Sequence, residues 1–228
     1  MITDVKVMPE PKLNKLSRNP LHEQTYSELR AAIMSAKFSP GEKLTVRGVA
    51  ELLGISMMPV RAAFMRLVAE KAVFQDAKGS VYIPKMTAAH YKELIQLRAL
   101  LEGKAAEIAA PLITAVELAE LAEIASQLTK ASMEGDAEAY IDLNQKFKFG
   151  IVAAARSEAL ADLVERLWLQ VGPFMRFYAT EVSAQYELDR HEDAVKALKN
   201  RDGSAARKAI EADIIDGAEF LFRSNLIG

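Results

Sequence analysis

The stretch from Leu44 to Leu67 constrains the fold most, because it contains two short helical patterns separated by one glycine. Thr45 is a residue type that begins helices, since its hydroxyl accepts a hydrogen bond from the free N–H groups of the first turn. Gly54 is placed to end the first helix, because glycine enters the left-handed conformation without steric cost. Ser56 is predicted to cap the second helix, whose first turn tolerates Pro59 because no N–H is needed there.

The second helix has one face for a core and one face that stays free. The core face is expected at the i, i+4, i+7 and i+8 positions, which are Val60, Phe64, Leu67 and Val68. The free face is expected to carry Met57, Met58, Arg61, Ala62 and Met65. In the first helix the apolar side is expected to comprise Val49, Ala50, Leu52 and Leu53. Two helices joined in this way, the second exposing a basic residue, are typical of a helix-turn-helix that reads DNA.

A small hairpin is predicted after the helix pair. The β-prone runs 72–75 and 80–83 flank a turn that has Lys78 and Gly79 at its tip. Such a tip can reach backbone phosphates or the minor groove, although an ordinary turn without a DNA contact is the alternative. With an amphipathic helix at 21–36, the three helices and the hairpin predict a winged helix-turn-helix.

From Thr87 onward the sequence is predicted to be helical. Segments rich in alanine and leucine, with no β-prone runs, indicate an antiparallel helix bundle. Helices are expected at 88–110, 114–133, 136–155, 157–182, 185–201 and 203–226, with a break at Pro111 and a kink or interruption at Pro173. The fold class is therefore mainly α. The predicted domains are a flexible arm at 1–20, the winged helix-turn-helix at 21–84 and the all-helical domain at 85–228.

Charge differs between the two parts of the chain. Residues 1–86 carry 13 Lys/Arg and 8 Asp/Glu, a balance of +5, whereas residues 87–228 carry 16 and 23, a balance of −7. A basic module joined to an acidic remainder suits a polyanion-binding unit attached to a domain that does not bind polyanions.

The absence of cysteine excludes disulfides and thiolate metal sites. No apolar run approaches the roughly 20 residues of a membrane span, and no signal peptide is evident, so a cytoplasmic protein without membrane contact is expected.

Longer segments resemble a known family. The segment PGEKLTVRGVAELLGISMMPVRAAFMRLVAEKAV resembles the DNA-binding half of GntR-family bacterial transcription regulators. The segments LRALLEGKAAEIAA, NQKFKFGIVAAA and RHEDAVKALKNRDGSAARKAIEADI resemble the all-helical effector domain of the FadR-type branch, the FCD domain. The match covers about residues 21–220 in the right order. The resemblance implies a homodimeric regulator of double-stranded operator DNA, expected to be a repressor and not an enzyme, with affinity controlled by a small metabolite such as an organic acid.

The resemblance assigns DNA contacts to the start of the second helix, the recognition helix and the wing. Arg47 and Arg61 match basic positions of the family, and each can bind a phosphate or the O6/N7 edge of guanine. Met57 and Met58 depart from the family pattern, in which arginine and threonine are common. Methionine cannot make a bidentate bond to guanine, although it can contact a thymine methyl, so an altered base preference is expected. The predicted DNA-contacting residues are Arg47, Ser56, Met57, Met58, Arg61, Met65, Lys78 and Gly79.

The resemblance also locates an effector pocket. Many FCD domains hold a divalent metal with an aspartate and three histidines, and the matching positions here are Asn144, Lys148, His191 and Asp213. Only His191 is unchanged, and a protonated Lys148 repels a cation. Lys148 and Asp213 are instead expected to form a buried ion pair, with Asn144 and His191 completing the hydrogen bonds. Arg98 matches a family arginine that can clamp a carboxylate.

Arg98 has an alternative role, an ordinary helix-surface pair with Glu102 at i+4. The predicted effector-binding residues are Arg98, Asn144, Lys148, His191 and Asp213. Further candidates for the lining are Tyr140, Trp168, Gln170, Arg176 and Tyr178.

Three interpretations of the polar cluster remain open. The first is a metal-free pocket for an anionic or polar metabolite, and the second is a structural polar core without a ligand. The third is a metal site, in which Asn144, His191 and Asp213 hold a divalent ion such as zinc or nickel. No cofactor is expected under the first two interpretations.

Two other functions also remain open. A regulator-derived protein that has lost DNA binding would use Met57, Met58 and Met65 as a hydrophobic contact patch. An enzyme built on the helical domain would use His191, Asp213 and Lys148 as its acid–base group, although no nucleophile motif or phosphate loop accompanies them.

Overall fold

A computed structural model describes residues 20–177 and 190–223. The predicted arm, apart from its last residue, and the candidate Tyr178 lie outside these ranges. The N-terminal elements are α1 (Pro20–Met34), β1 (Lys43–Leu44), α2 (Val46–Leu53), α3 (Met57–Ala69), β2 (Phe74–Gln75) and β3 (Val81–Tyr82). The helical part comprises α4 (Ala88–Leu112), α5 (Ala115–Glu134), α6 (Ala137–Ala154), α7 (Glu158–Val171), a 3₁₀ turn (Gly172–Phe174), α8 (Arg190–Lys199) and α9 (Gly203–Arg223).

The predicted hairpin is confirmed as β2 and β3, which pair antiparallel, but the wing has a third strand, β1, that was not predicted. The strand order is β1-β3-β2, all antiparallel, and β1 pairs Leu44 with Val81. A backbone hydrogen bond of 2.9 Å from Ile83 N to Glu42 O continues the pairing beyond β1. With only two residues, β1 is too short to show an alternating pattern, and its pairing depends on the distant β3. The sequence pattern therefore could not predict it.

The core of the N-terminal unit forms where α1, α2 and α3 meet. On α3 the predicted core face is confirmed for Val60, Phe64 and Leu67, whose exposed fractions are 0, 3 and 0%. The prediction for Leu52 was wrong, because its side chain is 82% exposed. Val49, Ala50 and Leu53 define the inward arc of α2, and Leu52 lies roughly 100° from the middle of that arc at about 100° per residue.

The helical part is organised around α4, which packs against α6, α7, α8 and α9. The expected break at Pro111 was wrong by two residues, because α4 accommodates this proline in its last turn and ends at Leu112. The interruption at Pro173 is confirmed, since α7 ends at Val171 and the 3₁₀ turn follows. In the part of the chain that the structure describes, no single helix is long and apolar enough to cross a membrane.

The two parts meet where α1 lies against α7 and the 3₁₀ turn. Arg30 Nη2 lies 2.6 Å from Glu165 Oε2 across this contact. A Cβ at Gly172 would lie 2.7 Å from Met34 Cα and 2.8 Å from the carbonyl oxygens of Ile33 and Met34. Only glycine permits so close an approach of the two backbones.

Candidate functional site

The α2–turn–α3 unit has the geometry of a helix-turn-helix. Thr45 Oγ1 accepts a hydrogen bond of 3.0 Å from Gly48 N, which confirms the predicted start of α2. Gly54 ends this helix with φ of 65°, the left-handed conformation expected for it. The axes of α2 and α3 differ by 119°, within the roughly 90–120° range of this motif.

Ser56 occupies the residue before α3 with an extended backbone, but its hydroxyl makes no capping hydrogen bond. The prediction that its side chain caps α3 was therefore wrong. Ser56 is exposed, so its hydroxyl at the start of α3 is accessible to a ligand. An exposed hydroxyl at a helix N-terminus suits a phosphate oxygen.

The solvent face of α3 carries the residues that the helical pattern placed there. Met57, Met58 and Met65 are 48, 66 and 75% exposed, and Arg61 and Ala62 are exposed as well. Within residues 20–177 and 190–223, no acidic side chain pairs with Arg61. Its guanidinium is accordingly presented to solvent.

Arg66, on the same helix, has a structural role that the sequence analysis did not identify. Its Nη1 lies 3.0 Å from Glu23 Oε2 on α1, and its Cζ lies 3.6 Å from the centre of the Tyr26 ring. Glu70 lies 3.6 Å from its Nε and accepts a 2.7 Å hydrogen bond from the Tyr26 hydroxyl. This group joins α1 to α3. The Arg66–Glu70 pair is local, but Glu23 and Tyr26 lie about 40 residues earlier in the chain, so no local pattern could reveal the connection.

Two further basic residues flank the helix pair. Arg47 lies on the exposed side of α2 and pairs with Glu51 at 2.8 Å. Lys78 is exposed at the tip of the wing, where Gly79 has φ of 82°. Asp76 Oδ1 accepts hydrogen bonds of 2.9 Å from the N–H groups of Lys78 and Ser80, which fixes the turn. The predicted DNA-contacting residues are basic, polar or apolar, and none of them is acidic.

A small cavity lies inside the helical part, between α4, α6, α9 and the residue after the 3₁₀ turn. Its volume is about 30 Å³, which is room for a water molecule or two. Its lining consists of Tyr91, Ile95, Arg98, Tyr140, Asn144, Lys148, Met175, Asp213, Ile214, Gly217, Ala218 and Leu221. Of the predicted pocket residues, all but His191 line this cavity directly.

Lys148 and Asp213 form the ion pair that was expected, with 2.6 Å between Nζ and Oδ2. His191 Nε2 lies 3.3 Å from Asn144 Oδ1 and 3.7 Å from Asp213 Oδ1, so it stands behind the pair and outside the cavity lining. Burial acts to raise the pKa of the Asp213 carboxyl. The Lys148 ammonium, helped by His191 and Arg98, outweighs this effect and holds that pKa below its usual value.

Arg98 is held by a second buried pair, and its partner Glu102 is the one predicted at i+4. The pair is not on the surface, however, because the two residues are 3 and 1% exposed. Arg98 Nε donates to Glu102 Oε1 at 2.7 Å, and Trp168 Nε1 donates to the same oxygen at 3.0 Å. The guanidinium carbon also lies 4.3 Å from the Trp168 ring centre. Trp168 therefore fixes the arginine from behind.

The other suggested lining residues divide between cavity and surface. Tyr140 lines the cavity, whereas Gln170 hydrogen-bonds the Arg166 carbonyl and Arg176 is exposed. Tyr91 was missed, although burial raises its pKa to about 12 and its ring packs 5.7 Å from that of Phe174. Its position on α4 two turns before Arg98 was the available signal.

The residues present do not fit a divalent metal ion. Lys148 Nζ sits 2.6 Å from the one carboxylate of the cluster, where an ion would have to bind. No group of three His, Asp or Glu side chains suited to a metal occurs in the described part of the chain. Asn144, His191 and Asp213 alone supply one carboxylate, one imidazole and one weak amide oxygen, which is a poor set for zinc or nickel.

Comparisons with known proteins agree with this arrangement. The profile of bacterial regulatory proteins of the gntR family matches residues 21–83, and that of the FCD domain matches residues 93–215, more than half of the chain. The chain is 29% identical to the HTH-type transcriptional regulator McbR of Escherichia coli K12, over 88% of this chain and 92% of McbR. It is 28% identical to the HTH-type transcriptional repressor RspR of the same organism, over 84% of each chain.

Solved structures show the same architecture. The E. coli McbR/YncC structure matches with a TM-score of 0.82 and 26% identity, over 92% of this chain and 100% of that one. A GntR regulator from Rhodococcus sp. RHA1 matches in fold with a TM-score of 0.72 and 19% identity, over 90% of this chain and 98% of that one. The chain therefore belongs to the GntR family of bacterial transcription regulators, with the winged helix-turn-helix and FCD domain of its FadR-type architecture.

Proposed function

We propose that this regulator binds a roughly palindromic operator as a homodimer, with one winged helix-turn-helix on each half-site. The observation that carries the proposal is the exposed face of α3, on which Arg61 projects without an acidic partner among the described residues. The Ser56 hydroxyl and Lys78 at the wing tip support it, because both can bind phosphates. Acting on the chromosome, such a protein works in the cytoplasm.

The test is fluorescence anisotropy with a labelled duplex from the promoter region of the protein's own gene. Arg61→Ala should lower affinity by about 1–3 kcal/mol and relax the preference at one base pair. Arg166→Ala is the matched control, because it removes the same charge from an exposed position on α7. Unchanged affinity and base preference in Arg61→Ala would exclude this contact. If the wild-type protein binds no duplex even at low salt, the methionines of α3 serve a protein partner instead.

The dimer has support from the outer surface of α4. Leu97 and Leu100, one turn apart, are 41 and 51% exposed. Two apolar side chains on one exposed helix face suit a contact with a second copy. Sedimentation equilibrium should give twice the 25.1 kDa chain mass, and a purely monomeric protein at micromolar concentration would contradict the dimer.

We further infer that the FCD domain is a sensor without catalytic activity, and that it binds a small anionic metabolite such as an organic acid. Lys148 Nζ has no partner except Asp213 in the described part of the chain, so its remaining N–H groups can turn to an anion. Arg98 and Tyr140 line the same cavity. Because the cavity has a volume of only about 30 Å³, an organic acid requires the lining to move apart.

The position of the cavity suggests how a bound ligand can affect the winged helix-turn-helix. Met175 lines the cavity, and Gly172, three residues earlier, touches the backbone of Met34 in α1. A ligand that displaces Met175 therefore displaces the turn against which α1 packs. The change in operator affinity is limited by the ligand's differential affinity for the two arrangements.

The test of the sensor is thermal unfolding with a panel of small carboxylic acids. A binding acid at about 100 times its Kd should stabilise the protein by about 2.7 kcal/mol. The same acid should change operator affinity. If no acid does either, the polar cluster is a structural core and the effector site lies elsewhere.

A further inference from the structure

The solvent face of α3 carries an apolar row beside Arg61. Met58, Ala62 and Met65 follow one another at i, i+4 and i+7, so they lie along one stripe of the helix. Met58 and Met65 are 66 and 75% exposed. The exposed face of a helix in water is ordinarily polar, so an apolar stripe here indicates a contact surface.

The surroundings of this row favour DNA over a protein as its occupant. Arg61 lies next to it without an acidic partner among the described residues, and Lys78 is exposed at the wing tip. α3 contains no acidic residue, and Glu70 just beyond it is bonded to Tyr26 on the core side. α3 itself therefore presents no acidic side chain to a polyanion.

The major groove offers one apolar group on its base edges, the C5-methyl of thymine. Arg66, the other arginine of α3, is held by Glu23 and Tyr26 and is not free to read a base. The groove-facing helix thus presents one arginine and a line of flexible thioethers. Thioether side chains suit a methyl group and cannot accept or donate the bidentate bonds that read guanine or adenine.

We infer that this protein selects its operator largely through thymine methyl groups, which Met58 and Met65 contact on the two sides of the base pair read by Arg61. Seven residues of helix rise about 10.5 Å, so a helix inclined in the major groove spans at most roughly three base-pair steps of about 3.4 Å along the DNA axis. Each half-site should therefore contain a guanine with thymines within about three base pairs. The inference rests on the proposed operator binding and specifies which bases it reads.

The experiment uses the full-length protein and duplexes selected from a random library. Each thymine of the preferred half-site is replaced in turn by deoxyuridine, which removes the C5-methyl and leaves the base-pairing edge intact. Loss of one contacted methyl should weaken binding about fourfold, the factor for one buried methyl group at about 0.8 kcal/mol. In Met58→Ala or Met65→Ala the sensitivity to deoxyuridine should vanish at the position that this side chain contacts.

Met133→Ala is the matched control, because Met133 is 82% exposed on α5, away from α3. It should bind like the wild-type protein and retain the full deoxyuridine effect. Equal affinity for thymine and deoxyuridine operators, with DNA binding intact, overturns this inference and leaves the proposed function standing. A deoxyuridine effect that persists in both methionine variants also overturns it. Failure to bind any selected duplex overturns the proposed function and the inference together.

Discussion

Replacement of Lys148 by methionine tests the buried ion pair directly. Lys148 and Asp213 side chains are 2 and 10% exposed, and their charged atoms are 2.6 Å apart. Methionine has a similar length and no charge, so Lys148→Met removes the cation with little change in volume. Removing one partner of a buried pair costs about 3–5 kcal/mol, because the other charge remains uncompensated. His191, 3.7 Å from Asp213, supplies part of a replacement charge, so the lower end of that range is expected.

The pH dependence separates this mechanism from a simple packing defect. In the wild-type protein Lys148 keeps the Asp213 pKa below its usual value despite burial, so Asp213 contributes stability above its unfolded pKa that is lost as pH falls. Without Lys148, burial is the largest remaining influence on Asp213, and we expect the pKa of its carboxyl in the folded variant to rise above the unfolded value. Acid then stabilises the variant relative to neutral pH. The difference in stability should therefore shrink between about pH 7 and about pH 4.

The assay is unfolding followed by circular dichroism across this pH range. At neutral pH the melting temperature of Lys148→Met should fall by about 6–12 °C, since 1 kcal/mol corresponds to about 2–4 °C for a chain of this size. The double variant with Asp213→Asn should recover much of the loss, because no unpaired charge remains. A Lys148→Met protein as stable as the wild type, or a difference that stays constant with pH, would refute the reasoning.

Three further perturbations are predicted. Gly54→Ala should destabilise the protein by about 1–2 kcal/mol in urea unfolding, because φ is 65° while the space around it is open. Gly172→Ala should cost about 1–3 kcal/mol and weaken the response of operator affinity to an effector, since its Cβ would meet Met34 although its φ of −47° suits alanine. A chelator should leave the melting temperature unchanged and elemental analysis should find less than one metal per chain. Stoichiometric zinc or nickel would contradict the metal-free pocket.

Much of the winged helix-turn-helix was predictable, because the sequence signals that define its helices and turn are local. Thr45 and Gly54 act on hydrogen bonds and dihedral angles within a few residues, and both have their predicted roles. The prediction for Ser56 also used a local signal, its residue type, and it was wrong. Its residue type favours a cap, but its hydroxyl makes no capping hydrogen bond, and residue type alone does not determine side-chain conformation.

The pocket shows the limit more sharply. Comparison with a family pattern named Lys148 and Asp213 as partners, and the structure has them in contact. The sequence did not indicate that the Arg98–Glu102 pair is buried and joined by Trp168, nor that the cavity has a volume of only about 30 Å³. Side chains from α4, α6, α7 and α9 meet there, and the distances between them depend on how the helices pack.

The sequence by itself determined the helices, the turn at Gly54 and the exposed methionine face of α3, because each follows from local backbone preference and helical period. Only the tertiary structure decided that β1 joins the wing, that Arg66 is tied to α1, and that Gly172 meets Met34. These contacts join residues more than 30 positions apart in the chain. Their geometry depends on the packing of whole elements, which no local pattern encodes.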